Sequence, residues 1–235
     1  MSNDKLGDRC KEFERIETDR YALPGLPLLA RLDGRAFHTF TRGLNRPYDE
    51  RMSRCMIEVT SFLVKELHAL IGYTQSDEIT LLWYLPDPKS ELPFNGRYQK
   101  LTSVLAGLAS TQFYKSLLLY LPNKVNQTPC FDCRVWQVPS IKEAIDVFVW
   151  REDDAVKNSI SMAASAYYST RELYKKDSSE KQEMLFQKGV NWNDYPAFFK
   201  RGTYLQRRSF QRTLTEDERA NIPEAKRPAP SRLFA

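Results

Sequence analysis

Two stretches decide how this chain folds, LPLLARLDG (26–34) and GYTQSDEITLLWYL (72–85). The first is a short apolar run that closes in Asp33-Gly34, and it reads as a buried strand with a turn at its C-terminal end. In the second, GYTQSDE (72–78) reads as a polar turn and ITLLWYL (79–85) as another buried strand. Between the two, Met52, Met56, Val59, Phe62, Leu63, Leu67 and Leu70 recur at helical spacing, which predicts an amphipathic helix over 49–70. Asp49 and Glu50 stand where the positive end of its dipole favours acids. FHTFT (37–41) is a second short strand or a turn, and Arg46-Pro47 breaks the chain.

Further out, residues 98–121 read as a long apolar helix and FDCRVWQVP (131–139) as a strand. Residues 141–169 are helical almost throughout, a short helix covers 180–187, and RGTYLQRRSF (201–210) is a final strand. Residues 1–20 are polar and helical or extended. The order strand, helix, strand pair, helix, strand predicts an α+β fold. Its core is an open antiparallel sheet of ferredoxin-like βαββαβ order, with helices packed on one face, followed by a C-terminal helical and strand extension. Nucleic-acid polymerases use the same core as their palm. The chain divides into a palm-like catalytic core (1–140), a helical extension integrated with it (141–210) and a flexible basic tail (211–235).

Composition narrows the class. At 235 residues, 42% hydrophobic and 28% charged, the chain has enough apolar material for one sizeable core and is not a disordered polymer. Its longest apolar runs fall far short of a membrane span, and MSNDKLGDRCKEFER at the N-terminus has no signal-peptide core. A cytoplasmic protein with no membrane partner is expected. Cys130 and Cys133 form a single C-x-x-C, and neither His38 nor His68 stands at zinc-finger spacing to it. The pair reads as two small residues beside a strand. The net charge of +5 resides in residues 200–235, where nine Lys/Arg face four Asp/Glu. A basic tail on a neutral body points to a polyanionic partner such as RNA, and a merely solubilising tail has the same composition.

The residues that carry chemistry are Asp33 and the pair Asp77-Glu78. If their strands are neighbours, these acids converge at one edge of the sheet. Hard oxygen ligands at strand ends are what magnesium needs, with the Gly34 carbonyl as a further donor. A two-ion site about 4 Å across activates a hydroxyl and stabilises a leaving phosphate. Aspartates in turns more often serve the turn, and spacing alone leaves both readings open. Arg46 and Asp49 follow the first strand, and Ser76 precedes the second acid. Arg97 and Lys100 share one face at the start of the long helix, where a triphosphate cradle and a solvated basic turn are both consistent with the pattern. The sequence contains no Walker A loop, dinucleotide fingerprint or HExxH run.

RLDGRAFHTFTRGLNRPYDE (31–50) and GYTQSDEITL (72–81) resemble the two signature blocks of the tRNA-histidine guanylyltransferase family. FDCRVWQVPS (131–140), WREDDAVKNSI (150–160) and MLFQKGVNWNDYPAFFKRG (184–202) are similar to its later blocks, in the same order. The resemblance implies a palm that adds nucleotides to the 5′ end of tRNA in the 3′-to-5′ direction, with ATP and GTP as substrates. It implies two magnesium ions on Asp33, Gly34 and Asp77, with Glu78 completing the block. It also implies triphosphate contacts at Ser76, Asp49, Arg97 and Lys100, a nucleotide-proximal His38, and Arg46 where many members have lysine. Homotetramers built as dimers of dimers are usual in the family. Members that add one untemplated G to histidine tRNA carry His-Ile-Asn-Asn where this chain has Val156, Lys157, Asn158 and Ser159, so only Asn158 keeps the pattern. The departure favours the bacterial-type branch, which resembles a template-copying enzyme of tRNA 5′-end repair, over addition of G at position −1. Phosphates of tRNA are expected at Asn158, Lys200, Arg201, Arg207 and Arg208. The competing readings are a palm-fold nucleotide cyclase and an inactive RNA-binding module.

Overall fold

The computed structural model describes residues 5–87, 89–208, 212, 215–221 and 223. Helix α1 (Lys5–Thr18) precedes β1 (Leu28–Gly34), the strand on which the sheet is built. After the single-turn helix α2 (Phe37–Phe40) and α3 (Glu50–Glu66) come β2 (Ile71–Gln75) and β3 (Glu78–Trp83). Helix α4 (Tyr98–Tyr120), β4 (Phe131–Gln137) and α5 (Ile141–Ser165) follow. The remainder is α6 (Ser178–Gln187), α7 (Ala197–Arg201), β5 (Thr203–Gln206) and α8 (Glu216–Ala220). The strands form one sheet in the order β4-β1-β3-β2-β5, and every neighbouring pair is antiparallel. Strands β1 to β4, with α3 and α4 as crossovers, make the expected βαββαβ core.

Alternation along the strands sorts the side chains between two faces. Leu28, Ala30 and Leu32 of β1 and Ile79, Leu81 and Trp83 of β3 face α3 and α4. Helix α3 answers with Met52, Met56, Val59 and Leu63. Helix α4 presents Leu101, Leu105, Ala109, Phe113 and Leu117, all fully buried at every fourth position. Gly72 lets α3 lie close on the sheet, since a Cβ there would meet the Val64 side chain at 2.6 Å. On the opposite face, Leu29, Tyr73 and Leu82 pack with Ala144 and Phe148 of α5. The second half of α5 runs on into a small core of its own, built from Ile160, Ala163, Ala164, Leu185 and Trp192.

Two local expectations are corrected. GYTQSDE is mostly strand: β2 takes Ile71–Gln75, and the turn is the two residues Ser76 and Asp77. Polarity misleads here because the polar atoms are internally satisfied. Tyr73 donates its hydroxyl to the Arg201 carbonyl at 2.8 Å, and Thr74 donates to the Glu78 carbonyl at 3.0 Å. FHTFT is helical rather than a strand, because Ala36 adopts a left-handed φ of 57° and starts the single turn of α2. Most of the tail expected over 211–235 lies outside the described residues. Among the described residues, no helix is long and apolar enough to cross a membrane.

Candidate functional site

The end of the sheet where β1 stops and β2 turns into β3 gathers the acids. Register sets Asp33 opposite Glu78, and the Gly34 amide donates to the Asp77 carbonyl at 3.1 Å. Asp33 and Asp77, 44 positions apart in sequence, therefore meet at one rim. The turn holding Asp77 has no slack: Ser76 takes a φ of 49°, and its hydroxyl donates to the Asp77 carboxylate at 3.0 Å. Burial pushes the Asp77 carboxyl above its ordinary value, the Ser76 hydroxyl pulls it back, and the charge of Asp33 adds to the push. His38, exposed at the end of α2, lies close enough for its charge to favour ionised Asp77. Gly34 fits only as glycine, since a Cβ there would stand 2.4 Å from the Phe37 ring.

Glu78 has a different occupation. Its two oxygens accept from Arg151 of α5, Nε at 2.6 Å and Nη2 at 2.8 Å, and Arg151 also reaches Asp154 at 2.7 Å. Burial pushes the Glu78 carboxyl up while the guanidinium fork opposes that push. The fork ties α5 to the sheet beside the rim. Sequence reasoning missed Arg151, because it lies 73 positions from its partner and only the Trp150-Arg151 block marked the place. Lys124 was missed too: it is buried, donates to the Arg42 carbonyl at 2.7 Å, and braces the loop that follows α2.

Asp49 and Arg46 lie at the same end of the sheet, where α3 begins. Asp49 is the N-cap of α3, accepting from the Arg51 amide at 3.0 Å, the Asn45 amide at 3.1 Å and the Arg51 guanidinium at 2.7 Å. These bonds, the Arg51 side chain foremost, hold its carboxyl down at about 2. Arg46 is exposed beside an open recess of about 460 Å³ lined by Asn45, Tyr48, Arg51, Tyr167 and Tyr195.

Arg97 and Lys100 are not brought to this rim. They begin α4, whose Tyr98 hydroxyl donates to Gln137 at the finish of β4, while Ser110 receives the Phe131 amide at its start. Ser110 therefore lies ten residues along the helix from Lys100 and thirteen from Arg97, which sets the two cations about 15–20 Å from the acidic end. Arg97 lies 4.0 Å from Asp19, and Lys100 covers the Phe94 ring. Arg207 and Arg208 also stand at that far end, lining a recess of about 390 Å³ with His68, Leu70, Tyr84 and Leu85. Of the other expected RNA contacts, Asn158 is exposed on α5, Lys200 donates to the Asn193 carbonyl, and Arg201 pairs with Glu152 at 3.2 Å. Val156 is half-buried and Ser159 buried, so of residues 156–159 only Lys157 and Asn158 are exposed.

The donor set at the rim suits magnesium. Two carboxylates and the Gly34 carbonyl are hard oxygens, and magnesium completes its shell from water and substrate phosphates rather than from a protein cage. Among the described residues, no group of three or more His, Cys, Asp or Glu is placed to hold a metal by itself. Cys130 is exposed and Cys133 buried; burial raises the Cys133 thiol to about 12, which leaves it a small apolar residue under β4.

Comparisons with known proteins bear on the family and the fold. The family model described as tRNAHis guanylyltransferase matches residues 7–139. A tRNA(His) guanylyltransferase of Debaryomyces hansenii is 31% identical over 84% of this chain and 78% of its own length. The fold is similar to a bacterial tRNA(His) guanylyltransferase-like protein in complex with ATP, with a TM-score of 0.81 and 32% identity over 86% of each chain. A bacterial protein of the same description in complex with GTP matches with a TM-score of 0.77 and 30% identity, over 90% of this chain and 88% of that one.

Proposed function

Because this chain belongs to the tRNAHis guanylyltransferase family, whose members are 3′-to-5′ nucleotidyltransferases, we propose that it extends the 5′ end of tRNA by copying the opposite strand, as a 5′-end repair enzyme. The observation that carries this reading is the meeting of Asp33 and Asp77 at one rim beside Gly34. These three residues would hold two magnesium ions. Bound there, the metal would make a hydroxyl more acidic and neutralise charge on a triphosphate.

The chemistry proceeds in two displacements. An oxygen of the RNA 5′-monophosphate attacks the α-phosphate of ATP or GTP, a P–O–P link forms, and pyrophosphate leaves. The 3′-hydroxyl of the incoming nucleotide then attacks the activated 5′-phosphate. A 3′–5′ phosphodiester forms, the activating nucleoside monophosphate leaves, and the hydroxyl proton passes to solvent. Positioning and electrostatics carry both steps without a protein base. Ser76 orients Asp77, His38 adds positive character beside it, and Arg46 at the mouth of its recess takes phosphate. Asp49 contributes by fixing the start of α3 and thereby the Arg46 loop. Glu78 contributes by anchoring Arg151.

Arg97 and Lys100 lie too far from their own rim to share its nucleotide, so in this reading they serve the site of another copy in the expected homotetramer. Exposed Asn158 and the cations Arg207 and Arg208 bind RNA phosphate, with Lys200 and Arg201 holding the surface between them. The replacement of the His-Ile-Asn-Asn pattern by Val156 to Ser159, two of them turned inward, supports templated addition over a fixed G at position −1. The test offers all four nucleoside triphosphates and magnesium to full-length and 5′-truncated tRNAs while the base opposite the gap is varied. Incorporation should follow that base. Guanine added whatever the opposite base would establish the fixed-G activity instead, and a cyclic nucleotide made from triphosphate alone would establish a cyclase.

A further inference from the structure

The face of the sheet that carries Asp33 is only partly covered. Helix α5 lies across it. Ala144 and Phe148 pack with Leu29, Tyr73 and Leu82, Arg151 reaches Glu78, and Glu152 reaches Arg201 at 3.2 Å and Tyr204 at 3.0 Å beside the edge strand β5. The acidic ends of β1 and β4 are left as an open shelf. Register and alternation place Arg31 beside Arg134 and Asp33 beside Asp132 on that shelf, and Asp132 and Arg134 are both exposed.

Trp150 stands on α5 at the border of the shelf. It is 49% exposed, an unusual position for the largest side chain in a protein that buries Trp83 and Trp192. The Arg151 guanidinium lies 4.6 Å from its ring centroid and that of Arg31 5.4 Å. Arg151 is fixed by Glu78 and Asp154, so the indole is held from one side by a rigid partner. Arg31 makes no salt bridge among the described residues, although its charge favours ionised Glu78 and it lies on the same strand face as Asp33. An oriented indole half in water, an unpaired guanidinium and a pair of reactive acids within one shelf match a ligand that has both a flat aromatic ring and negative charge.

We propose that Trp150, backed by Arg151 and flanked by Arg31, is the stacking platform for a nucleobase at the reacting end of the substrate. Every base offers a π-face, so such a platform holds the nucleotide without choosing among bases, and the template keeps that choice. The base belongs either to the terminal nucleotide of the RNA or to the incoming nucleotide.

The proposal rests on the nucleotidyltransferase reading of the rim, and equilibrium binding separates the two because it needs no turnover. Dissociation constants for a 5′-truncated tRNA and for GTP are measured with the full chain and with Trp150→Ala, Trp150→Phe and Trp150→Leu. Trp150→Ala weakens one ligand by roughly tenfold or more, Trp150→Phe recovers most of the loss, and Trp150→Leu, which keeps apolar bulk without a ring, does not. Loss confined to tRNA assigns the base to the RNA end, and loss confined to GTP assigns it to the incoming nucleotide. A tRNA whose 5′-terminal nucleotide is abasic sharpens the first case: it binds the wild type as weakly as intact tRNA binds Trp150→Ala, with no further loss in the variant. Unchanged constants for both ligands in a folded Trp150→Ala or Trp150→Leu overturn the platform, as does a fall in melting temperature with binding intact. A wild type that transfers no nucleotide but shows the Trp150-dependent affinity sinks the reaction and keeps the platform.

Discussion

The two ends of the sheet are built from opposite charges. At one, Asp33 and Asp77 meet over backbone that is hydrogen-bonded on every side, with Glu78 tied to Arg151 beside them. At the other, Arg97 and Lys100 lie by β4, and Arg207, Arg208 and His68 lie by β2 and β5, around open recesses and with few partners. The five steps of β3 from Glu78 to Trp83 separate these ends by about 17 Å. A mononucleotide occupies one end only, whereas a polynucleotide spans both. In the proposed reading the acidic end is held in place by its hydrogen bonds so that its acids can share a cation. In the same reading the basic end, with fewer partners, meets a flexible chain of phosphates.

Replacing an acid at the rim gives the largest contrast. Asp33→Ala or Asp77→Ala should lower nucleotide addition roughly 10³-fold or more, with a melting temperature equal to or above that of the wild type, because like charges have been relieved. Labelling of a 5′-truncated tRNA and thermal melts measure the two quantities. Near-normal addition by either variant would dissolve the difference between the ends.

Glu78 divides structure from chemistry within the acidic end. Glu78→Ala leaves Arg151 charged and buried, and should cost about 3 kcal/mol or more in denaturant unfolding. Glu78→Gln combined with Arg151→Met should recover much of that. A Glu78→Gln protein of normal stability but without activity would place Glu78 among the reacting acids.

At the basic end, Arg207→Glu with Arg208→Glu should weaken tRNA binding about tenfold at low salt and reduce the salt dependence of affinity by roughly one to two counterions. Turnover at saturating tRNA should be unchanged. A salt slope identical to that of the wild type would remove the recess from the RNA path.

The smallest effect is at the start of α3. The Asp49 carboxyl is held at about 2, below its ordinary 3.8, so the unfolded chain takes up the proton more readily than the folded one. Its contribution is complete above about pH 4 and disappears as pH falls through 2. Asp49→Asn should therefore be about 1–2 kcal/mol less stable than the wild type at neutral pH, and the gap should close as unfolding is measured toward pH 2. A gap that persists at pH 2 would mean that the cap works by shape alone.

The βαββαβ order was legible because the strands that build it alternate with helices whose apolar residues keep a steady period. Leu101, Leu105 and Phe113 recur four or eight apart, and the β1 run is apolar without a break over Leu28, Leu29 and Ala30, where both faces are buried. What failed was local polarity. Tyr73 and Thr74 read as part of a turn because a sequence does not show that a neighbouring strand and α7 will satisfy their polar atoms. The acids were legible as residues that end or precede apolar runs. The separation of Arg97 and Lys100 from them was not, because helical spacing reveals which face two residues share but not which end of a sheet that helix starts from. Arg151 was hidden for the same reason: its partner is fixed by how α5 crosses the sheet, which no local pattern encodes.

The two-residue hairpin at Ser76 and Asp77 has an evolutionary corollary. A single inserted codon that the loop does not absorb would shift the register by one residue, turning Ile79, Leu81 and Trp83 out of the interior. Length change in the segment that bears Asp77 is thus constrained, and point replacement is the route that leaves the register untouched. If Asp77 has the proposed role, a lineage that discards it inherits an intact scaffold, which is how a folded but silent paralogue would arise.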